Sequence, residues 1–107
     1  MSSINNISVE KLARLLGTPK CPDLVDVRTD EDFARSPHLL PGAIRRPYND
    51  VSGWADDLRT GHAIVICQRG QKLSQGAAAL LRVAGVSADS LEGGFEAWQN
   101  SNLPVEK

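Results

Sequence analysis

Residues 62–85 read HAIVICQRGQKLSQGAAALLRVAG, and this stretch decides the fold. Its first part, HAIVIC, is apolar and rich in β-branched residues, the mark of a buried strand. Its last part carries Leu73, Ala77, Leu80, Leu81 and Ala84 at helical spacing, which predicts an amphipathic helix with that face turned inward. Gly85 stands where such a helix stops. Strand passes into helix through Cys67-Gln68-Arg69-Gly70-Gln71-Lys72. A cysteine needed only for packing requires neither the glycine nor the two cations that follow it.

Working outward, SVEKLARLLG places Val9, Leu12, Leu15 and Leu16 on one helical face, with Ser8 as N-cap and Gly17 as stop. TPKCP breaks the pattern. DLVDVR then reads as a short buried strand, and TDEDFAR as a short helix capped by Thr29 or Asp30. SPHLLPGAIRRPYND is a loop around a brief strand near Ala43–Arg45, and VSGWADDLRTG predicts a helix with Trp54 and Leu58 inward. Beyond the central stretch, ADSLEGG gives one more short strand, and FEAWQNSN a final helix with Phe95 and Trp98 three apart. Strands and helices alternating at such short intervals imply right-handed crossovers and a mostly parallel sheet with helices on both faces. Ligands of open parallel sheets bind beyond the C-terminal strand ends, where Cys67 stands.

With 107 residues the chain is read as a single domain, 1–107. A net charge of −1 supplies no basic field for nucleic acid. No apolar run is long enough to span a bilayer, so no membrane partner is expected. The opening MSSINNISVE lacks the basic and apolar regions of a signal peptide, so a cytoplasmic, reducing location is expected. Cys21 and Cys67 form no CxxC pair, and with His38 and His62 they make no zinc spacing, so no metal is expected. A disulfide between the two cysteines stays open, although a reducing compartment disfavours it.

The chemistry lies in the cysteine loop. A strand that turns directly into a helix aims backbone amides into the turn, and with the helix dipole these make an anion site. Gly70 can take positive φ and let the turn close tightly. Arg69 and Lys72 add positive charge. The loop therefore reads as built to hold a sulfur anion, or an anion attached to sulfur. Cys21, followed by proline in a weakly patterned loop, has none of this company.

Four segments, taken in order, resemble the rhodanese-like family over nearly the full chain: LVDVRTDEDF at 24–33, HLLPGAIRRP at 38–47, CQRGQK at 67–72 and LEGGFEAW at 91–98. The resemblance implies an α/β fold, a five-stranded parallel sheet flanked by helices on both faces. It implies a sulfurtransferase. The loop cysteine would take sulfane sulfur from a donor such as thiosulfate, become a persulfide, and pass the sulfur to cyanide or a thiol. No cofactor is implied. The partners would be a small sulfur-donor anion and a thiol or cyanide acceptor, with a protein acceptor as a further option. By position, Cys67 matches the nucleophile, and the amides of Gln68, Arg69, Gly70, Gln71 and Lys72 match the persulfide cradle. Lys72 takes the loop-closing position. Asp26 and Arg28 match the signature after the first strand and are read as supporting, tying strand to loop. The family has Ser or Thr directly after the closing basic residue. Here Leu73 intervenes and Ser74 follows, read as a further supporting residue. His38 lies one residue further from Pro41 than the usual histidine.

Two other functions compete. A cysteine phosphatase of similar fold needs Cys-x5-Arg to grip phosphate bidentately, but the sixth residue after Cys67 is Leu73. The second alternative is a sulfur-carrier or redox-sensing module with little turnover on small donors. Arg45 and Arg46 could dock an acidic partner, but solvated surface charge is the better explanation for them.

Overall fold

The computed structural model describes residues 6–106. Five strands, β1 (Asn6–Ile7), β2 (Asp23–Asp26), β3 (Ile44–Arg45), β4 (His62–Ile66) and β5 (Ser87–Leu91), form one sheet in the order β1-β5-β4-β2-β3. Every pairing is parallel, and β4 lies at the centre, with Asp26 beside Ile66 on one flank and Val65 beside Ser90 on the other. The helices are α1 (Val9–Leu15), α2 (Asp30–Arg35), α3 (Val51–Trp54), α4 (Lys72–Val83) and α5 (Gly94–Asn100).

Strand alternation sorts the core into two layers. Ala63, Val65 and Cys67 join Val25, Val27, Trp54, Ala77, Ala78 and Leu81 on the α3–α4 side. Ile64 and Ile66 join Leu12, Leu24, Leu91, Phe95 and Trp98 on the α1–α5 side. Ala63, Ile64, Val65 and Ile66 are fully buried, as expected of a central parallel strand covered on both faces. Burying each of its larger side chains contributes about 1.5–3 kcal/mol. The phase that buries Val65 also carries Cys67 toward α4.

The predicted stops and caps are in place. Ser8 Oγ accepts the Lys11 amide at 3.1 Å, and Gly17 takes positive φ just past α1. Thr29, not Asp30, caps α2, accepting the Asp32 amide at 3.1 Å. Two expectations need correction, and one strand adds to the reading. The strand β1 was not foreseen, because two residues carry no periodicity. The helix expected over VSGWADDLRTG is only one turn of α-helix, followed by a 3-10 turn at Ala55–Asp57. Asp50 supplies no side-chain cap there, and Trp54 leaves helical geometry (φ −127°) while its Nε1 donates to the Pro47 carbonyl at 2.9 Å. Finally, the inward stripe of α4 is Ser74, Ala77, Ala78 and Leu81, while Leu80 is 55% exposed. In a helix this rich in alanine and leucine two adjacent apolar stripes exist, and apolarity alone chose the one that includes Leu80 and Ala84. The deciding residue is polar Ser74, whose buried position has a partner.

Candidate active site

At the end of β4 the chain leaves the sheet at Ile66, and Cys67 is 5% exposed. The loop that follows is built backbone against backbone on the turn before α5. Phe95 and Glu96 amides donate to the Cys67 and Gln68 carbonyls at 2.9 and 3.0 Å. Gly70 has φ 71°, and a Cβ there would run into the Leu91 carbonyl and lie 2.8 Å from the Gly93 amide. Gly94 has φ 63°, and its Cβ would strike the Cys67 carbonyl and the Gly70 amide. Glycine at both positions thus allows close approach as well as positive φ. Gln75 Nε2 ties down the Gly70 carbonyl at 3.0 Å.

The consequence is a turn fixed through its carbonyls. From Gln68 to Ser74 no backbone amide donates to a protein acceptor among the described residues. The first turn of α4 contributes the last of these free groups, as any helix start must. Gln71, at its N-cap position, makes no side-chain capping bond. Ser74 Oγ lies 3.1 Å from Cys67 Sγ and 2.8 Å from Ser90 Oγ, and both serines are buried. Unpaired amides and a hydroxyl beside one sulfur suit negative charge on that sulfur or on a group attached to it.

Cys67 opens into a cleft of about 480 Å³, lined also by Gln68, Arg69, Gln71, Lys72 and Leu73, by Asp32 and Arg35 of α2, and by Glu96 of α5. Two of its three cations have partners: Arg35 meets Asp32 at 3.1 Å and Arg69 meets Glu96 at 3.5 Å. Lys72 makes no ion pair among the described residues. Five of the loop positions read from sequence line this one cleft, whereas Gly70 sits beneath it as the buried hinge. Ser90 and Glu96 were missed. Ser90 could have been found from the alternation in SADSL, which places it in phase with buried Ala88.

Asp26 and Arg28 stand apart from the sulfur, on the α5 side of the sheet. Arg28 Nε meets Asp26 Oδ2 at 2.9 Å, its Nη1 and Nη2 donate to the Ser36 and His38 carbonyls, and its guanidinium lies 3.9 Å from the Phe95 ring centroid. Burial pushes the Asp26 carboxyl up and the Arg28 guanidinium down, each opposed by the other's charge. Arg28 thereby ties the end of β2 to the loop after α2 and to α5. Cys21 lies at the opposite end of β2, in a separate cleft with Pro41, Gly42 and Leu58. Burial raises its thiol, and the neighbouring Asp23 carboxylate adds to that rise. Both cysteines are free.

No curated protein matches the chain significantly. Among solved structures, a rhodanese-like domain protein from Staphylococcus aureus is 26% identical, with a TM-score of 0.78 over 97% of this chain and 100% of that one. A thiosulfate sulfurtransferase from Pseudomonas aeruginosa is 24% identical, with a TM-score of 0.80, and the match covers 96% of this chain but 19% of that protein. A Rhodopseudomonas palustris protein of unknown function, described as a possible tyrosine phosphatase, is 21% identical with a TM-score of 0.79 over 96% of this chain and 85% of that one. At those last two identities the likeness concerns the fold alone. The profile of the Rhodanese-like domain matches residues 8–101, which include the strands β2 to β5 and the cysteine loop. The chain belongs to the rhodanese-like domain family.

Proposed function

We propose that the protein is a sulfurtransferase that carries sulfane sulfur as a persulfide on Cys67. One observation carries the reading: the Cys67, Gln68 and Gly70 carbonyls are bonded, while the amides from Gln68 to Ser74 are unengaged among the described residues. In the reaction the Cys67 thiolate attacks the outer sulfur of thiosulfate. A new S–S bond forms, the thiosulfate S–S bond breaks, and sulfite leaves with the electron pair. An acceptor such as cyanide or a thiolate then attacks the outer sulfur of the persulfide. The electron pair of that S–S bond returns to Cys67, which is again a thiolate. The free amides offset the charge that the sulfur and the approaching dianion bring together. Lys72, the cation of the cleft that makes no ion pair among the described residues, favours entry of an anionic donor. Phosphate-monoester chemistry is not supported, because Leu73 stands where a phosphate-gripping arginine is needed.

The test is the mass of the intact protein after thiosulfate treatment. One added sulfur atom is expected, removed by cyanide and absent from Cys67→Ala. An adduct on Cys21, or one that survives Cys67→Ala, would overturn the reading. Steady-state turnover with cyanide separates an enzyme from a carrier: a carrier loads but turns over slowly.

A further inference from the structure

We infer that Ser90 is a positioning residue for Cys67: its buried hydroxyl donates to Ser74 and thereby frees the Ser74 proton for the sulfur. The inference rests on the assignment of Cys67 as the reacting group. It follows from counting donors and acceptors.

Ser90 is 1% exposed, and its only hydrogen-bond partner among the described residues is Ser74 Oγ, at 2.8 Å. A hydroxyl has one proton. If Ser74 donated to Ser90, the Ser90 proton would be buried with no acceptor, a costly arrangement. Ser90 therefore donates and Ser74 accepts. The proton of Ser74 then has two remaining places to go: the Gln71 carbonyl at 3.4 Å, or Cys67 Sγ at 3.1 Å. The first is long for a bond between oxygens. The second is a close approach for oxygen and sulfur. While Cys67 is a thiol, its S–H donates to Ser74 Oγ, and the Ser74 proton takes the weak Gln71 bond. When the thiol proton leaves to a base in solution, the sulfur becomes an acceptor and the Ser74 proton turns to it. Ser90 does not turn, because it has nowhere else to donate. Ser74 is thus a two-position rotor, and Ser90 is its fixed end.

The register explains the placement. Ser90 is beside Val65, one strand over and two residues before Cys67, on the face covered by α4. Serine at Ser74 interrupts the apolar stripe of α4 where that stripe passes between Cys67 and Ser90. Two adjacent interior positions on different elements carry hydroxyls in place of methyl groups, and both hydroxyls bond to each other.

The charged groups around Cys67 are Arg69 and Lys72 of its loop, Asp32 and Arg35 of α2, and Glu96 of α5. No titratable side chain of α4 beyond Lys72, and none of β5, lines that cleft. Changing Ser90 leaves all of these in place, so a change in pH dependence reports on the hydroxyl chain.

The experiment is the rate of Cys67 alkylation by iodoacetamide against pH, followed by intact mass in a Cys21→Ala background. Ser90→Ala should move the midpoint of the profile upward by about half to one pH unit, since one hydrogen bond to the anion is weakened. Ser90→Thr, which keeps the hydroxyl, should restore it. In a Ser74→Ala background, Ser90→Ala should move the midpoint no further, because Ser90 acts only through Ser74. A Ser90→Ala profile that superimposes on its parent would overturn the proposal. So would an equal shift with and without Ser74. Thermal melts of each variant separate a packing loss, which lowers Tm without moving the midpoint, and that result also counts against the rotor. Alkylation needs no sulfur donor, so a protein that fails to load sulfane sulfur yet shows the shift would sink the sulfurtransferase reading and keep this one.

Discussion

Two neighbouring parallel strands, β2 and β4, end side by side, and their ends are finished in opposite ways. Past β2, the polar groups close on one another. Asp26 takes the Arg28 amide and Nε, and the rest of the guanidinium satisfies two loop carbonyls against an aromatic face. Past β4, the carbonyls of Cys67, Gln68 and Gly70 are bonded, while the amides from Gln68 to Ser74 are left over among the described residues. The same end of the sheet thus holds a sealed joint and an open socket. A buried polar cluster in which every nitrogen and carboxylate oxygen has a partner confers shape. One with unused donors on one side selects for what can use them.

The comparison can be broken most sharply at the sulfur. Cys67→Ala should abolish uptake of sulfane sulfur, and Cys21→Ala should leave it intact, both read by mass after thiosulfate. Equal loss in the two variants would mean that the socket is not where the sulfur goes. Next comes the sealed joint. Asp26→Asn strands the Arg28 guanidinium in the interior, and removing one partner of a buried pair costs about 3–5 kcal/mol. Urea unfolding should show that loss, while folded protein still loads sulfur at Cys67. A cost under about 1 kcal/mol would show that water reaches the joint.

Gly70→Ala should act on both properties at once. Positive φ with a Cβ costs about 1–3 kcal/mol, and the Cβ meets the Leu91 carbonyl. A drop in Tm and a slower Cys67 alkylation rate are expected together. An unchanged rate with a lowered Tm would mean that the socket tolerates a shifted backbone. The smallest effect concerns the rim. Arg69 is 72% exposed and paired with Glu96, so its pull on a dianion is partly spent and screened. Arg69→Gln should lower kcat/KM for thiosulfate about two- to fivefold, and Glu96→Gln should raise it by a similar factor, both differences fading with salt. A fall in both variants would show that the pair shapes the rim and does not tune its charge.

What the residue pattern made legible was local. HAIVIC announced the central strand, Gly70 its positive φ, and Ser8 and Gly17 the ends of α1, because each depends on a few adjacent residues. What it hid depends on register. The strand β1 is two residues long and exists because β5 offers it an edge. The inward face of α4 was read one position off, since its alanines and leucines allow either stripe and Ser74 looked like a polar outlier. Ser90 and Glu96 gained meaning only when β5 and α5 were placed beside the loop, sixteen and more residues away along the chain. Arg69 read as a free cation for the same reason.

The seat of the socket has a consequence for the moment of synthesis. Its carbonyls are held by Phe95 and Glu96, and its hinge rests on Gly93 and Gly94, all of which follow the loop in the chain. The first strand waits as well, because β1 pairs only with β5. A nascent chain that has emerged only as far as Ala79 already presents Cys67, with nothing yet behind it. Domains settle as units once their parts are out. The cysteine is therefore most open to stray oxidants and electrophiles before α5 has been made, and the packing of α5 behind the loop ends that exposure.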